Sequence, residues 1–233
     1  MVLYLSPVTF KVSGEQMGRS VRFSEGQQNK YKSRNQKRKT RTRKLRKRFL
    51  IVCEGTKTEP NYFEAFKKDL PRGLVEVDIY GIGANTLTII QEAKKAFQKS
   101  LRSSNPYDEV WVVFDRDSFP ADHFDNAIYS AKANSFGCAW SNEAFELWYL
   151  LHFEYRNTGM VRTEYKSRLG RYLGEDYKKN DPGMYEKLKE LQNIAIQHTE
   201  RLMNQYSSVP PSLSNPGTQV HLLVIELNSY LNK

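Results

Sequence analysis

The chain has 233 residues, 39% of them hydrophobic and 12% aromatic, which suffices for one substantial domain with a small appendage. No run reaches the roughly 18 to 20 consecutive apolar residues of a membrane span, and the opening "MVLYLSPVTF" lacks the basic and long apolar regions of a signal peptide. The formal net charge of +10 is local: residues 30–48, "KYKSRNQKRKTRTRKLRKR", hold twelve Lys or Arg and no acid, leaving 24 basic against 26 acidic residues elsewhere, a formal −2.

Residues 1–29 carry no clear period and read as a flexible segment, within which Met17 is an alternative native start to Met1. The basic arm, 30–48, repels itself and lacks the apolar residues to fold alone, so residues 1–48 form one flexible unit. Alternation then begins. "FLIVCE" reads as a buried strand, and Pro60 with "NYFEAFKKDL" as a helix opening near Thr58 or Glu59. "VEVDIYGI" is a second strand. "NTLTIIQEAKKAFQKSL" places Leu87, Ile90, Ala93 and Phe97 at helical spacing behind Asn85 as N-cap. "EVWVVFD" is a third strand, apolar enough to be covered on both faces. A helix follows from Pro120 to about Ser135, then a short strand "GCAWS", then a helix from Asn142 through "EAFELWYLLHF". Strand and helix alternate throughout 49–157, which predicts an α/β core with a mostly parallel sheet and helices on both faces. Beyond it, 158–233 reads as a helical part packed on that core, with helices over 163–177 and 183–206, a loop at "SSVPPSLSNPG" and a last helix in "TQVHLLVIELNSYL". Cys53 and Cys138 lie in apolar runs, and His123, His152, His198 and His221 are scattered without zinc spacing. A reduced, cytoplasmic protein with structural histidines is the expectation.

Two strands end at acids. The first delivers Glu54, followed by Gly55, and the third delivers Asp115 and Asp117 in "VWVVFDRDSF". In an extended segment, residues two apart share a side, so both aspartates face one space and Arg116 faces away. Parallel strands joined by right-handed crossovers bring their carboxyl ends to one edge, which places Glu54 beside the aspartate pair. Three carboxylates there repel by about 4 kcal/mol per contact at 4 Å and an effective dielectric near 20. Protons or a cation must compensate, and hard oxygen ligands suit Mg²⁺ or Mn²⁺. An acid cluster with a divalent metal beside a basic arm suggests phosphodiester chemistry.

Strand-Glu-Gly followed by strand-Asp-x-Asp resembles the Toprim fold of topoisomerases, primases and overcoming-lysogenization-defect nucleases. More closely, "IVCEGTKTEPNYF", "VWVVFDRDSF", "SNEAFELWYLLHF" and "NPGTQVHLLV" together resemble the RloB family of bacterial Toprim-type proteins, over residues 51–224. The resemblance implies that Asp115 and Asp117 hold Mg²⁺ and that Glu54 is a metal-linked acid or base in phosphoryl transfer. It further implies a nuclease acting on DNA or structured RNA in antiphage defence or restriction, with an ATPase encoded nearby as partner. Two other readings stay open: a non-catalytic nucleic-acid-binding Toprim module, and a toxin silent until an ATPase partner releases it. The chain departs from the family pattern at Glu143, where a proline is more usual.

Secondary members of the site are Gly55, which allows close backbone approach, Glu59, and Glu146. Glu59 serves either the helix dipole or the metal ligands, and Glu146 either ligates a second metal or pairs with a base. Glu143 and Glu146 are expected on one helix face behind Asn142 as N-cap. Lys57 reads as a solvated lysine within reach of a phosphate, while Asn215 and Thr218 suit helix capping or ligand contact equally. In the arm, Lys37, Arg38, Lys39, Arg41, Arg43, Lys44, Arg46, Lys47 and Arg48 are the candidate nucleic-acid contacts. Nineteen extended residues reach about 60 Å, and six phosphate contacts to duplex would give a log-log salt slope near about −5.

Overall fold

The computed structural model describes residues 46–83, 86–117 and 120–231. Its elements run β1 (Lys47–Cys53), α1 (Thr58–Asp69), β2 (Val75–Gly81), α2 (Thr86–Leu101), β3 (Glu109–Asp115), α3 (Ala121–Ala133) and β4 (Gly137–Asn142). There follow α4 (Glu146–Leu151), α5 (Arg162–Leu173), α6 (Met184–Leu188), α7 (Gln192–Asn204), β5 (Gly217–Thr218) and α8 (Val220–Asn228). The sheet order is β2-β1-β3-β4-β5, parallel across the first four strands, with β5 antiparallel on β4. The α/β class with a mostly parallel sheet and a helical C-terminal part is therefore as the alternation predicts.

Because side chains alternate along a strand, the two faces of the sheet bury two separate apolar layers. Phe49, Ile51 and Cys53 of β1 face a layer with α1, α4, α5, α7 and α8. Leu50 and Val52 face the other, with Ile89, Ile90 and Ala93 of α2 and Phe124, Ala127, Ile128 and Ala131 of α3. Cys53 and Cys138 are both buried free thiols on opposite sides of the sheet, which excludes a disulfide between them. His152 and His198 are tied by Nδ1 to the carbonyls of Trp148 and Leu151, each at 2.8 Å, in structural roles.

Several local expectations are corrected. β1 begins at Lys47, inside the segment assigned to the arm, because the first strand residues pair with β2 from Lys47 opposite Val75. Asn142 does not cap a helix. It ends β4, and its Nδ2 donates to the carbonyls of Pro211 and Ser212 at 3.2 and 3.1 Å. The helix starts at Glu146, so Glu143 lies in the preceding turn and shares no helical face with Glu146. β5 was not foreseen. It is held by the Ser141–Thr218 hydroxyl pair at 3.1 Å and by Thr218 Oγ1 donating to the Trp140 carbonyl at 3.0 Å. The helix expected over 163–177 stops at Leu173, before Gly174 in the left-handed conformation (φ 69°). That expected over 183–206 is broken by a 3₁₀ turn, Lys189–Leu191. The Asn85 cap lies outside the described residues.

Candidate active site at the carboxyl edge of the sheet

Glu54 follows β1 directly, and its backbone stays in the sheet: its N–H donates to the Val113 carbonyl and its carbonyl accepts from Gly83, each at 2.8 Å. With Cys53 level with Val113, the Glu54 side chain reaches the end of β3, where its Oε2 accepts the Asp115 N–H at 3.2 Å. Asp115 in turn turns Oδ2 to the Phe145 N–H at 3.1 Å, at the start of α4. Its other oxygen, Oδ1, is buried and has no hydrogen-bond partner. The crossover topology thus brings together Glu54 and Asp115, 61 positions apart.

Beside them lies a cavity of about 240 Å³, walled by Gly55, Lys57, Glu59, Asp115, Glu146 and Lys179, among others. Glu59 projects from the first turn of α1 and is only 5% exposed. It fits because residue 55 is glycine: a Cβ there would overlap the Glu59 carboxylate. Glu146 accepts a hydrogen bond from the Tyr177 hydroxyl at 3.2 Å. The Lys179 loop is pinned over α1 by Asn180, whose side chain accepts from Thr58 Oγ1 at 2.8 Å and whose carbonyl accepts from Asn61 Nδ2 at 2.9 Å. The N-terminus of α1 has no side-chain cap.

Burial and mutual repulsion raise the proton affinity of these acids. Burial, opposed by the Asp115 N–H and reinforced by the charges of Glu59 and Asp117, pushes Glu54 up to about 7. Burial first, then the charges of Glu59 and Glu146, raise Asp115 well above the ordinary aspartate value. Glu59 is also raised, chiefly by burial and then by Glu146, with Lys179 and Arg162 opposing. Removing carboxylates from water and crowding them disfavours their ionised forms, so a cation in their midst would be strongly favoured.

Asp117 reaches the same neighbourhood by another route than expected. β3 ends at Asp115, and Asp117 occupies a turn in the left-handed region (φ 44°), its N–H donating to the Glu143 carbonyl at 3.2 Å. It is therefore not a second residue of the extended strand. Its carboxylate, 45% exposed, pairs with Arg162 at 3.2 Å, and the same guanidinium lies 3.9 Å from Asp115. Asp117 and Glu54 are thus an outer and an inner neighbour of Asp115, while Glu59 and Glu146 share its cavity. Among the described residues no three Asp, Glu, His or Cys side chains form a ready-made metal cage. Mg²⁺, however, is commonly bound through one or two carboxylates with its waters retained. Asp115, whose Oδ1 is orphaned, lines the cavity with two further carboxylates and fits that demand.

The chain matches the family model described as RloB-like protein over residues 49–227. It belongs to the RloB-like family. Comparison with curated proteins and with solved structures gives no match. In this RloB-like chain the matched span begins two residues into β1 and ends in α8, so it takes in all of the sheet but those two residues.

The RloB-like body also fixes the roles of other named residues. Arg46 pairs with Glu76 at 3.2 Å, Lys47 with Glu109 at 3.0 Å, and Arg48 with Asp78 at 2.8 Å, with its guanidinium 4.5 Å from the Tyr107 ring centre. Those three cations thus help anchor the start of the sheet. Lys37, Arg38, Lys39, Arg41, Arg43 and Lys44 lie outside the described residues. Asn215 Nδ2 donates to Glu143 at 3.5 Å, whereas Thr218, within β5, accepts the Val220 N–H at the start of α8 at 3.3 Å, a capping contact. Sequence reasoning missed Arg162, Lys179 and Tyr177, which no local pattern ties to the acid-tipped strands.

Proposed function

We propose that this RloB-like protein is a Toprim-type phosphodiesterase that cleaves DNA or structured RNA with Mg²⁺ or Mn²⁺. The observation that carries the reading is Asp115, whose buried Oδ1 has no partner and which lines a cavity together with Glu59 and Glu146. Asp115 would hold the cation, with Glu59 and Glu146 behind it and Asp117 at the rim. A bound divalent ion would neutralise the carboxylates and draw charge from phosphate oxygens. Glu54, near 7 and with one oxygen engaged by the Asp115 N–H, is matched to taking a proton from an attacking water or returning one to the leaving oxygen. Lys57, Lys179 and the uncapped N-terminus of α1 line the same cavity and would bind the anionic phosphate. The family match spans the Glu54-Gly55 and Asp115-x-Asp117 segments on which the resemblance rests.

The experiment is cleavage of DNA and tRNA panels with Mg²⁺ or Mn²⁺ by the wild type and by Asp115→Asn. Metal-dependent cleavage lost in the variant supports the reading; equal cleavage by both removes the site. The Arg162 bridge between Asp115 and Asp117 favours a second reading, a non-catalytic module in which the guanidinium takes the cation's place. It predicts neither cleavage nor divalent binding. The antiphage role and the ATPase partner rest on the family resemblance, and coexpression with an ATPase encoded beside the gene under phage challenge tests both.

A further inference from the structure

From the acid cavity, a second cleft of about 510 Å³ opens between α5 and the segment that carries Lys178 and Lys179, sharing Glu146 and Lys179 with that cavity. Arg162, Lys166, Lys178 and Lys179 line it, and all four are exposed. Arg162 is held by Asp115 and Asp117, but among the described residues no ion pair ties Lys166, Lys178 or Lys179 to an acid. On the cleft wall Tyr165 is 1% exposed, and its hydroxyl has no hydrogen-bond partner. A buried hydroxyl left unpaired is costly, and an acceptor entering the cleft would satisfy it. The N-terminus of α5, at Arg162, has no side-chain cap and adds its positive dipole end. The adjoining cleft shares Lys166 with this one and adds Arg171 together with the acids Glu175 and Asp176.

We infer that this cleft binds the backbone phosphates of a single polynucleotide strand and leads it into the carboxylate cavity. The inference deepens the proposed function and rests on it for the direction of the strand. Binding itself needs no cleavage. The size of the cleft suits one or two nucleotides rather than a duplex, and its tyrosines, Tyr165 and Tyr177, are buried in the wall. Bases therefore have no exposed ring to stack on there, and recognition runs through phosphates with little sequence preference. The track is formed by residues of the folded body.

The test is fluorescence anisotropy with the full chain in EDTA, using labelled 8-mers of oligo-dT and oligo-U as separate arms. Lys166→Gln/Lys178→Gln/Lys179→Gln is compared with a charge-matched control on exposed α2 positions, Lys94→Gln/Lys95→Gln/Lys99→Gln. Losing three strand phosphate contacts should lower the log-log salt slope by about 2. Affinity should fall at least about tenfold in the first variant and less than about twofold in the control. Tyr165→Phe should weaken binding about threefold while leaving the salt slope unchanged, which separates the hydroxyl from the charges. Equal losses in both triple variants, or none in the first, overturn the track. Cleavage that persists with undiminished binding in the lysine variant also overturns it and leaves the nuclease reading standing. Track-dependent binding by a wild type that never cleaves keeps the track and sinks the nuclease reading.

Discussion

Replacing Glu54 with Gln should flatten the pH dependence of stability that the site imposes. The carboxyl is raised from 4.5 to about 7, first by burial. A raised folded-state value means the protonated form is the one the fold favours, so its contribution is whole below pH 4.5 and is lost as pH rises through about 7. At 1.36 kcal/mol per unit, the ceiling is about 3 kcal/mol. Partial exposure screens this to about 1–2 kcal/mol. Asp115 and Glu59 are raised too, so they act in the same direction. Urea denaturation in EDTA at pH 5 and pH 8 reads the effect. The wild type should lose stability at pH 8, and Glu54→Gln should lose about 1–2 kcal/mol less. Added Mn²⁺ should recover stability in the wild type at pH 8 more than at pH 5, because ligands must be ionised to bind. A wild type that becomes more stable from pH 5 to pH 8 in EDTA, with Glu54→Gln following it, would refute the reasoning.

Gly55→Ala should displace the Glu59 carboxylate that a Cβ overlaps, costing about 1–3 kcal/mol as overpacking does, read by urea denaturation, and weakening Mn²⁺ binding in calorimetry. Arg162→Met removes the cation lying 3.2 Å from Asp117 and 3.9 Å from Asp115. It should lower stability in EDTA and tighten Mn²⁺ binding severalfold, whereas unchanged affinity would show that the guanidinium does not compete with the metal. Asp125→Ala removes the carboxylate that accepts from the Ser212 N–H at 2.9 Å and the Ser212 hydroxyl at 2.6 Å. That should destabilise by about 2–3 kcal/mol, as for hydrogen bonds to a charged group, in thermal or urea melts.

The parallel strands were legible because β1 and β3 are apolar runs and β2 alternates, and the rule that parallel strands end at one edge brought Glu54 to Asp115 across 61 positions. What escaped the sequence depends on long-range partners. Asn142 resembles a cap by type and position, yet its amide is taken by carbonyls at 211 and 212. β5 is two residues long, below any periodic signal, and exists because Ser141 and Thr218 pair across 77 positions. Asp117 met its neighbours through a left-handed turn and Arg162 rather than through strand alternation. Glu59 was open between dipole and site, and only the fit of its carboxylate against Gly55 decides that it lies on the cavity. The cationic side of the site comes from α5 and the 178–180 loop, whose lysines look in sequence like any solvated surface.

The most direct test is anomalous diffraction from crystals grown with Mn²⁺ at pH 8. The account predicts one strong peak in the cavity between Asp115, Glu59 and Glu146, with the Arg162 guanidinium drawn away from Asp115. No peak at any Mn²⁺ concentration, with Arg162 still bridging Asp115 and Asp117, would contradict it.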